Sequence, residues 1–545
     1  MSIVSLYWNT VRYMKPSQVY YRVRKTLGME CSIGCEIKPI SVGNEKLTLI
    51  AQMEKLDFDP VFLARFPVEE LMQDHVCFLH QSRKFSWDEP WYFPDETPLW
   101  NFNLHYFEYL FPLVEAYRRT GNRMYYEKIK TCVEGWIKNN PRSAGGNGWA
   151  PYTVALRLTN WLSCFSYLYE TVREDKVFYD RFINALYEQY VYLSGHLEKD
   201  LLGNHYFEDL KALILCALFF QDEKVLSRVL LEFKKQCNEQ ILPDGMHFEL
   251  SPMYHKIIFE GMLRVAAALR AANVPDLEIE KHLQPMLDAA YSMEYDLDRL
   301  PLFNDCGNNV AKSLEALCEE AKNKFHLLPV FKKQFPNAGY YILEENDVRV
   351  IVDAGEIGPQ YLAGHVHCDA LSFEVFFKGK PVLVNCGTYA YQDALRPFFR
   401  STLAHNTVRV DRREQSSCWG TFRTAKRQRC RCLEFSGNLL KAEMTDQANC
   451  KVIRTVELRG SKLTVCDHSR SNQLLEAAVH VVPCARLFEL EDSVQIEGIG
   501  TMTFSGERKR EQMPYAPEYG AKKDCAAWIV SEKGSLSFSL TIASI

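Results

Sequence analysis

The sequence lacks long apolar runs and an excess of charge of one sign. Its longest apolar run, Ala212 to Phe220, has nine residues, whereas a membrane-spanning helix needs about 18. The 545 residues include 64 Lys and Arg against 69 Asp and Glu. This near-neutral balance gives no basic surface of the kind that nucleic-acid-binding domains present. We therefore expect neither a membrane nor a nucleic acid as a partner.

Closely spaced cysteine pairs are also lacking. None of the 18 cysteines forms a Cys-x-x-Cys motif, and the nearest pairs are Cys31 with Cys35 and Cys430 with Cys432. Thiolate zinc clusters usually need that motif, and a chain of this length does not depend on disulfide bonds for stability. The first residues show no basic leader before an apolar segment, so no signal peptide is predicted. We expect a reduced, cytoplasmic protein.

The spacing of apolar residues changes once along the chain. From about residue 103 to residue 323 they recur in helix-length segments with a period of 3.6 residues, which is typical of amphipathic helices. After about residue 335, short runs rich in Val, Ile, Phe and Thr predict strands. Helices followed by strands indicate segregated layers. We predict an α+β multidomain protein with an amino-terminal arm over 1–95, a helical domain over 96–330 and an antiparallel β-sandwich over 336–545.

The clearest predicted helices cover residues 105–119, 125–139, 152–170, 205–220, 253–272 and 277–295. The clearest predicted strands cover residues 348–353, 371–377, 381–384, 407–410, 452–458, 461–466 and 535–542. The arm is predicted to contain helices, and it is basic near its start, at Arg12, Lys15, Arg22, Arg24 and Lys25.

Aromatic residues are concentrated just before the helical domain. Ten of the 25 residues from Phe85 to Tyr109 are aromatic. Flat rings with polar edges suit the faces of sugars, which favours a glycan cleft. The alternative is that these rings fill a core beneath a long loop, and composition alone favours that alternative.

Two segments of the helical domain combine amide, imidazole and hydroxyl groups. In Gly203-Asn-His-Tyr-Phe-Glu, we predict Asn204 as a helix N-cap, with His205 and Glu208 on one face of the first turn. Ser251-Pro252 is a helix-start signal that places Tyr254 in the next first turn. Helix amino termini favour bound anions. Each segment read alone is also compatible with ordinary capping and packing.

Three histidines lie near predicted strands in the second half of the chain. His365 and His367 alternate onto the same face, and His405 precedes another strand. Three such histidines can form a metal site or a hydrogen-bonded cluster that closes one end of a sandwich. The sequence leaves both interpretations open.

Taken together, six motifs in this order and spacing resemble the heparinase II/III-like polysaccharide lyases. The resemblance covers residues 95 to 425 and implies an incomplete (α/α) toroid followed by an antiparallel β-sandwich, with a glycan cleft between them. The motifs are Asn101-Phe-Asn-Leu-His-Tyr-Phe-Glu-Tyr-Leu, Trp149-Ala-Pro-Tyr-Thr-Val-Ala-Leu-Arg-Leu-Thr-Asn-Trp, the Gly203-Asn-His segment, Ser251-Pro-Met-Tyr-His, Gly364-His-Val-His-Cys-Asp and Ala404-His-Asn-Thr.

This resemblance implies β-elimination at a uronic acid in an anionic polysaccharide of the glycosaminoglycan or alginate type. Hydrogen bonds that neutralise the uronate carboxylate ease loss of the C5 proton, and an acid protonates the departing oxygen. By motif, Asn204 is the expected carboxylate clamp, helped by His205. Tyr254 is expected to act on C5 and on the leaving oxygen, and His365 as a second base or charge stabiliser. The expected substrate contacts are Asn103, His105, Trp149, Tyr152, Arg157, Glu208, Glu249, Arg396 and Arg400.

The resemblance also implies a structural metal, held in some relatives by two histidines and an aspartate. His367 and His405 match this pattern, but Asn385 stands at the aspartate position. A neutral amide is a poorer ligand for a divalent cation than a carboxylate. We therefore expect weak or partial occupancy by zinc or manganese, and no cofactor for the chemistry itself.

Two other functions compete with the lyase. A glycoside hydrolase on the same toroid needs two opposed carboxylates, for which Glu208, Glu249 and Asp244 are available. The other is a non-catalytic glycan-binding protein of exopolysaccharide assembly. A pure binding protein has no need of Asn204, His205, Tyr254 and His365 together, so the lyase is preferred.

Overall fold

The computed structural model describes residues 2–29, 51–295 and 299–543. Cys31 and Cys35, and part of the predicted arm, lie outside these residues. The helices are α1 (Ile3–Val11), α2 (Pro16–Thr26), α3 (Glu54–Asp57), α4 (Pro60–Leu63), α5 (Val68–Met72), α6 (Pro98–Leu104), α7 (Leu110–Thr120), α8 (Arg123–Asn139), α9 (Pro151–Glu174), α10 (Lys176–Gly195), α11 (Gly203–Phe220), α12 (Glu223–Gln240), α13 (Pro252–Ala271), α14 (Leu277–Glu280), α15 (Leu283–Met293), α16 (Leu314–Phe325) and α17 (Arg396–Phe399).

Helices α7 to α16 form the incomplete (α/α) toroid, as predicted, with sequential neighbours such as α9, α10 and α11 packed on one another. Local signals start several of these helices. The side chains of Asp175 and Asp222 accept hydrogen bonds from backbone N–H groups in the first turns of α10 and α12, which offsets orphaned donors at those ends. None of the helices in the described residues is long and apolar enough to cross a membrane.

Two predicted helices differ from those in the structure. The helix predicted over 105–119 begins only at Leu110, as α7, and the one predicted over 277–295 is divided into α14 and α15. The turn before α7 includes Phe107, which has a left-handed φ of 65°. Phe107 and Tyr109 are buried in that turn, so the apolar pattern alone did not reveal where the helix begins.

The strands are β1 (His75–Phe78), β2 (Gln81–Lys84), β3 (Gln334–Phe335), β4 (Tyr340–Glu345), β5 (Val348–Asp353), β6 (Phe373–Phe377), β7 (Lys380–Leu383), β8 (Val408–Val410), β9 (Cys418–Trp419), β10 (Arg423–Thr424), β11 (Arg429–Ser436), β12 (Leu439–Thr445), β13 (Lys451–Arg459), β14 (Lys462–Ser469), β15 (Leu474–Val481), β16 (Leu487–Glu489), β17 (Ser493–Ile496), β18 (Gly500–Phe504), β19 (Glu507–Glu518), β20 (Ala521–Lys533) and β21 (Ser535–Ile542).

Two large antiparallel sheets form the predicted β-sandwich. One has the strand order β11-β12-β13-β14-β21-β18-β17-β16, and the other β19-β20-β15-β7-β6-β5-β4-β3, with β8 paired to β15. Alternate residues of β13, such as Val452 and Val456, point into the core between the sheets. This is the period-2 pattern of a sheet with one buried face.

The second part of the predicted arm is not separate from the toroid. Met53, Phe62 and Val76 belong to the same buried apolar core as the toroid residues Trp161 and Phe325. Most of the aromatic stretch also lies in this core, including Trp87, Trp91, Phe93 and Trp100. Core packing is thus the main function of that stretch, although Phe102 and Tyr106 reach the cavity described next.

Candidate active site

A cavity of about 350 Å³ lies where the toroid meets the β-sandwich. Helices α9, α11 and α13 supply nearly half of its wall, and loops of the sandwich close one side. Its lining includes Asn103, Tyr106, Tyr152, Glu198, Asn204, His205, Glu208, Tyr254, Glu260, Arg264, Lys312, Tyr391, Phe422 and Tyr519. Five residues predicted from the sequence as catalytic or binding groups in α9, α11 and α13 therefore share one cleft.

Asn204 lies in the first turn of α11 and does not cap it, contrary to the sequence prediction. Leu202 occupies the cap position with a left-handed φ of 68° and makes no side-chain cap. The Asn204 backbone N–H donates to Glu249 Oε1 at 2.9 Å, and Nδ2 lies 2.9 Å from Oε2. A Cβ at Gly203 would lie 2.3 Å from Glu249 Oε1, so glycine lets this carboxylate approach.

Glu249 therefore orients Asn204 and does not line the cavity, which corrects its predicted place as a substrate contact. Its side chain is buried. Burial raises the pKa of Glu249, but His247, His365 and Asn204 outweigh that effect, and the net shift is downward. An amide nitrogen carries two hydrogens. Glu249 accepts one of them, and the other makes a long contact of 3.4 Å with His365 Nε2, so it is weakly held at the wall of the cleft.

His205 is paired with a carboxylate that sequence reasoning missed. Its Nδ1 lies 3.0 Å from Glu198 Oε2, and its ring packs on Tyr152 with centroids 4.5 Å apart. Burial lowers the pKa of His205, but Glu198 raises it more, so the net shift is upward. A protonated imidazole beside Asn204 suits the binding of an anion. Glu198 is seven residues from His205, outside the helix, so no helical spacing indicated the pair.

Glu208, predicted on the same helix face as His205, is paired with a lysine of α11. It is fully buried and forms an ion pair of 2.5 Å with Lys211, one turn further along α11. Burial raises the pKa of Glu208, and Lys211 opposes that shift. Both residues line the floor of the cavity.

Tyr254 begins a chain of three tyrosine hydroxyls. Its hydroxyl lies 2.8 Å from that of Tyr391, which lies 2.9 Å from that of Tyr519. The predicted start of α13 is confirmed, because Ser251 Oγ accepts a hydrogen bond from the Tyr254 backbone N–H and Pro252 begins the helix. Burial and the neighbouring Tyr391 raise the pKa of Tyr254 well above 10. The Tyr254 phenol is therefore protonated at neutral pH.

His365 lies beneath the Tyr254 ring, with centroids 4.2 Å apart, and its side chain is 12% exposed. Its Nε2 lies 3.4 Å from Asn204 Nδ2. On the other side of the ring, Nδ1 lies 3.0 Å from Asp305 Oδ2. Asn204, Tyr254 and His365 thus meet at the junction of the two domains.

Asp305 is the second residue that sequence reasoning missed. It also accepts hydrogen bonds from His367 Nε2 at 2.9 Å and from the guanidinium of Arg396. Burial raises the pKa of Asp305, but Arg396 and the two histidines lower it well below its usual range. The carboxylate therefore stays ionised. Arg396 is consequently a partner of Asp305 and not the predicted substrate contact.

Two cations lie at the end of the cavity formed by residues 57–79 and 310–312. Lys312 is 5% exposed, and its Nζ lies 3.3 Å from the centre of the Phe62 ring. Arg65 lies 3.8 Å from Glu108, a long ion pair. By contrast, Arg264 is held by Asp57 at 2.6 Å and by Glu260. Lys312 and Arg65 are therefore the cations of this lining with the weakest protein partners among the described residues.

Four further predicted substrate contacts are structural. The Arg157 guanidinium donates to Gln189 Oε1 at 2.6 Å and to the carbonyl of Gly148 at 2.8 Å, and it is fully buried over Trp136. His105 bonds to the Trp91 carbonyl and to the Trp136 indole. The other two, Trp149 and Arg400, are also buried, with their nitrogen atoms bonded to backbone carbonyls. Their motifs were informative about the fold, but burial removes these side chains from the ligand.

The predicted metal residues do not assemble a three-ligand site. His367 Nδ1 and His405 Nε2 lie 3.2 Å apart, and burial lowers the pKa of His367 to about 4. The side-chain oxygen of Asn385, Oδ1, accepts a hydrogen bond from the backbone N–H of Asn406 at 2.9 Å. No group of three His, Cys, Asp or Glu suited to a metal ion occurs in the part of the chain that the structure describes. The donor set therefore fits a hydrogen-bonded pair better than a divalent cation.

The fold and the site define a toroid-and-sandwich protein with a tyrosine, a histidine and an amide at the domain junction. Residues 19–331 match the Heparinase II/III N-terminus and residues 331–531 match the Heparinase II/III-like C-terminal domain. The chain belongs to the heparinase II/III-like family, as its motifs predicted.

Relatives and solved structures agree with this assignment. The heparin-sulfate lyase of Pedobacter heparinus is 22% identical over 374 residues, which cover 61% of this chain and 55% of that protein. The heparin-sulfate lyase of Bacteroides thetaiotaomicron is 23% identical over 443 residues, covering 68% and 61%. This chain thus matches little more than half the length of these relatives.

Two solved structures show the same fold. A crystal structure of heparinase III superimposes with a TM-score of 0.70 at 16% identity, covering 97% of this chain and 91% of that one. A chondroitin AC lyase of Streptomyces coelicolor A3 gives a TM-score of 0.50 at 9% identity, covering 97% and 83%. The predicted toroid and antiparallel sandwich are confirmed.

Proposed function

We propose that this protein is a polysaccharide lyase that cleaves a uronate-containing anionic glycan, of the glycosaminoglycan type, by β-elimination. The observation that carries the proposal is the meeting of Tyr254, His365 and Asn204, with His365 Nε2 3.4 Å from Asn204 Nδ2 and its ring 4.2 Å from that of Tyr254. The heparin-sulfate lyases among its relatives support the glycosaminoglycan class. Alginate is the second substrate class to test.

The uronate carboxylate would be held by Asn204 and His205 at the start of α11. Asn204 offers the amide hydrogen whose long 3.4 Å contact with His365 Nε2 a bound carboxylate would replace, and His205 offers positive charge, because Glu198 raises its pKa. When the C5 proton leaves, negative charge develops on this carboxylate as an enolate. Donors already in position stabilise that charge without reorganisation.

His365 is the base in this proposal. Asp305 stays ionised and accepts the hydrogen on Nδ1, so the lone pair of the neutral imidazole is on Nε2. Nε2 faces Asn204, where the carboxylate would bind, and the C5 proton is attached next to that carboxylate. A uronate bound by Asn204 would therefore bring its C5 proton close to Nε2.

Tyr254 is the acid that protonates the departing glycosidic oxygen. Since its pKa is raised well above 10, the phenol holds its proton until the leaving oxygen becomes basic. Tyr391, 2.8 Å away, can return a proton to Tyr254 through its own hydroxyl. This assignment of the base to His365 and the acid to Tyr254 is narrower than the sequence prediction, in which Tyr254 acted on both C5 and the leaving oxygen.

Two cations in the cavity lining also support an anionic substrate. Lys312 and Arg65 line the cavity with weak protein partners, whereas Lys211 and Arg264 are paired. A carboxylate or sulfate on a neighbouring sugar would supply the missing hydrogen-bond acceptor. We propose that these two residues bind such a group.

The three carboxylates that a glycoside hydrolase could use already bind other groups of the protein. Asp244 accepts hydrogen bonds from the backbone N–H groups of Asn337 and Ala338 and lies outside the lining. Glu249 holds Asn204, and Glu208 holds Lys211. A pair of carboxylates placed across a sugar is what hydrolysis requires, so the lyase is favoured.

The deciding experiment incubates the full chain with heparan sulfate, chondroitin sulfate and alginate. A lyase leaves a 4,5-unsaturated uronate, detected by its ultraviolet absorbance and by mass spectrometry. The Tyr254→Phe variant is the matched control, since it keeps the ring and loses only the hydroxyl. Products that carry an added water and no chromophore would indicate a hydrolase. Binding without any product would indicate the glycan-binding protein.

A further inference from the structure

The first two helices expose apolar side chains to solvent. Ten of the 24 exposed large apolar residues in the described part of the chain lie between Ile3 and Met29. We call the outward side of α1 and α2 the arm face. It consists of Ile3, Val4, Tyr7, Trp8 and Val11 on α1, and Val19, Tyr20, Val23 and Leu27 on α2, which are between 41% and 73% exposed.

The polarity of these helices is reversed relative to a helix that packs on a core. On α1 the inward side carries polar groups, and Thr10 Oγ1 accepts a hydrogen bond from the Trp419 indole at 3.1 Å. On α2 the buried residue is Gln18, whose side chain donates to the carbonyl of Leu201. A surface helix normally turns its apolar stripe inward. Here the described residues cover the polar side and leave the apolar side exposed.

The charged side chains of the arm itself all have one sign. Residues 2–29 contain five Lys and Arg and no Asp or Glu. Lys15 pairs with Glu239, and Arg22 and Lys25 each lie 3.7 Å from Asp200. The contacts of Arg22 and Lys25 are long and these two side chains are half-exposed, so their positive charge remains available at the surface. The aromatic residues of the face, Tyr7, Trp8 and Tyr20, are types with an apolar body and a polar tip.

We propose that the arm face docks on an anionic membrane surface, with α1 and α2 lying in the plane of the headgroups. Apolar and aromatic side chains on one face, flanked by Lys and Arg, are typical of helices that bind the membrane interface. A surface that is negative outside and apolar beneath matches both properties. This association is distinct from membrane spanning, for which α1 and α2 are too short.

Docking would also place the glycan cleft close to the membrane. Tyr7 packs against Trp419 with ring centroids 4.9 Å apart, and Arg423 lies over the Tyr7 ring. Trp419 and Arg423 belong to the β9–β10 hairpin, whose turn carries Phe422 in the cavity lining. One short hairpin thus connects the arm face to the site, so a glycan held at a membrane would be within reach.

The test is co-sedimentation of the full chain with vesicles, without substrate. One vesicle set is phosphatidylcholine alone, and the other contains about one part in three phosphatidylglycerol. We expect pelleting with the anionic vesicles, at least about tenfold weaker binding to the neutral ones, and loss of binding when NaCl is raised to about 0.5 M. The variant Val4→Glu/Trp8→Glu should bind the anionic vesicles at least about tenfold more weakly.

Phe488→Glu/Leu490→Glu is the matched control, because both residues are similarly exposed near β16, away from the arm. It should bind the anionic vesicles like the wild type. Wild-type protein that stays in the supernatant would overturn the proposal. So would a stable dimer in sedimentation velocity that Val4→Glu/Trp8→Glu dissociates, since the face would then bind a second copy. Because no substrate is present, failure of the lyase proposal does not affect the result.

Discussion

Asp305 Oδ2 lies 3.0 Å from Nδ1 of His365, and the same carboxylate is held by Arg396. The pairing fixes the histidine tautomer, because an ionised carboxylate accepts only N–H hydrogens. It joins the connection between α15 and α16 of the toroid to the connection between β5 and β6 of the sandwich, so the position of the base depends on both domains.

Asp305→Asn should lower kcat by about 100-fold, since an amide no longer holds the His365 tautomer. It should also lower the free energy of unfolding by about 3 kcal/mol, because Arg396 loses its buried charge partner. Steady-state kinetics and thermal unfolding measure the two effects. Thr388→Val, which also loses a contact to Asp305, should leave kcat within about twofold. A folded Asp305→Asn enzyme with wild-type kcat would show that His365 needs no orienting partner.

Tyr254→Phe should reduce kcat by at least about 1,000-fold with little change in KM, because only the proton-donating hydroxyl is lost. Tyr391→Phe removes the hydrogen-bond partner of that hydroxyl and should cost only about tenfold. Both variants keep their rings, so thermal unfolding should change little. If the two variants lost the same activity, Tyr391 would have to be the acid.

The rate should fall at alkaline pH when His205 loses its proton. Glu198 raises the pKa of His205, so Glu198→Gln should move the alkaline limb of kcat/KM to lower pH. The His205–Glu198 pair should also make the free energy of unfolding depend on pH in the same direction. Its stabilising contribution is fully present below the unfolded histidine pKa of about 6.5 and is lost as pH rises through the higher folded pKa. If Glu198→Gln does not move the alkaline limb, a group other than His205 titrates there.

Lys312→Met should raise KM for a sulfated substrate by about tenfold and leave kcat unchanged, because the charge lies away from the reacting carbon. Methionine keeps most of the buried volume, so folding should be retained. The difference from wild type should shrink at high salt. Lys138→Met, at an exposed lysine paired with Asp88, is the control and should change neither constant. A change in kcat alone would place Lys312 near the chemistry.

Purified protein should hold less than one equivalent of divalent metal, and a chelator should leave its melting temperature unchanged. The reason is that the Asn385 oxygen is used by Asn406, which leaves His367 and His405 without a third ligand. Asn385→Asp should increase the metal content, because a carboxylate has further lone pairs and a charge. Elemental analysis of both proteins is the measurement. A full equivalent of metal in the wild-type protein would contradict the interpretation of His367 and His405 as a hydrogen-bonded pair.

Local signals predicted most elements that lie near the site. Ser251-Pro252 marked the start of α13, and the run of Val and Ile over 348–353 marked both ends of β5. These signals work because capping and strand propensity depend on neighbours in sequence. The cap predicted at Asn204 failed, since Glu249 from another segment takes both the backbone and side-chain donors.

The sequence by itself determined the order of toroid and sandwich and, through its motifs, the family, because both are encoded in apolar period and residue spacing. Only the tertiary structure decided which polar residues reach the ligand. Arg157 and His105 became buried supports. Glu198 joined the site from just outside α11, and Asp305, Tyr391 and Tyr519 joined it from distant segments. The physical reason is that hydrogen-bond partners and burial are set by contacts between elements far apart in sequence, which no local pattern records.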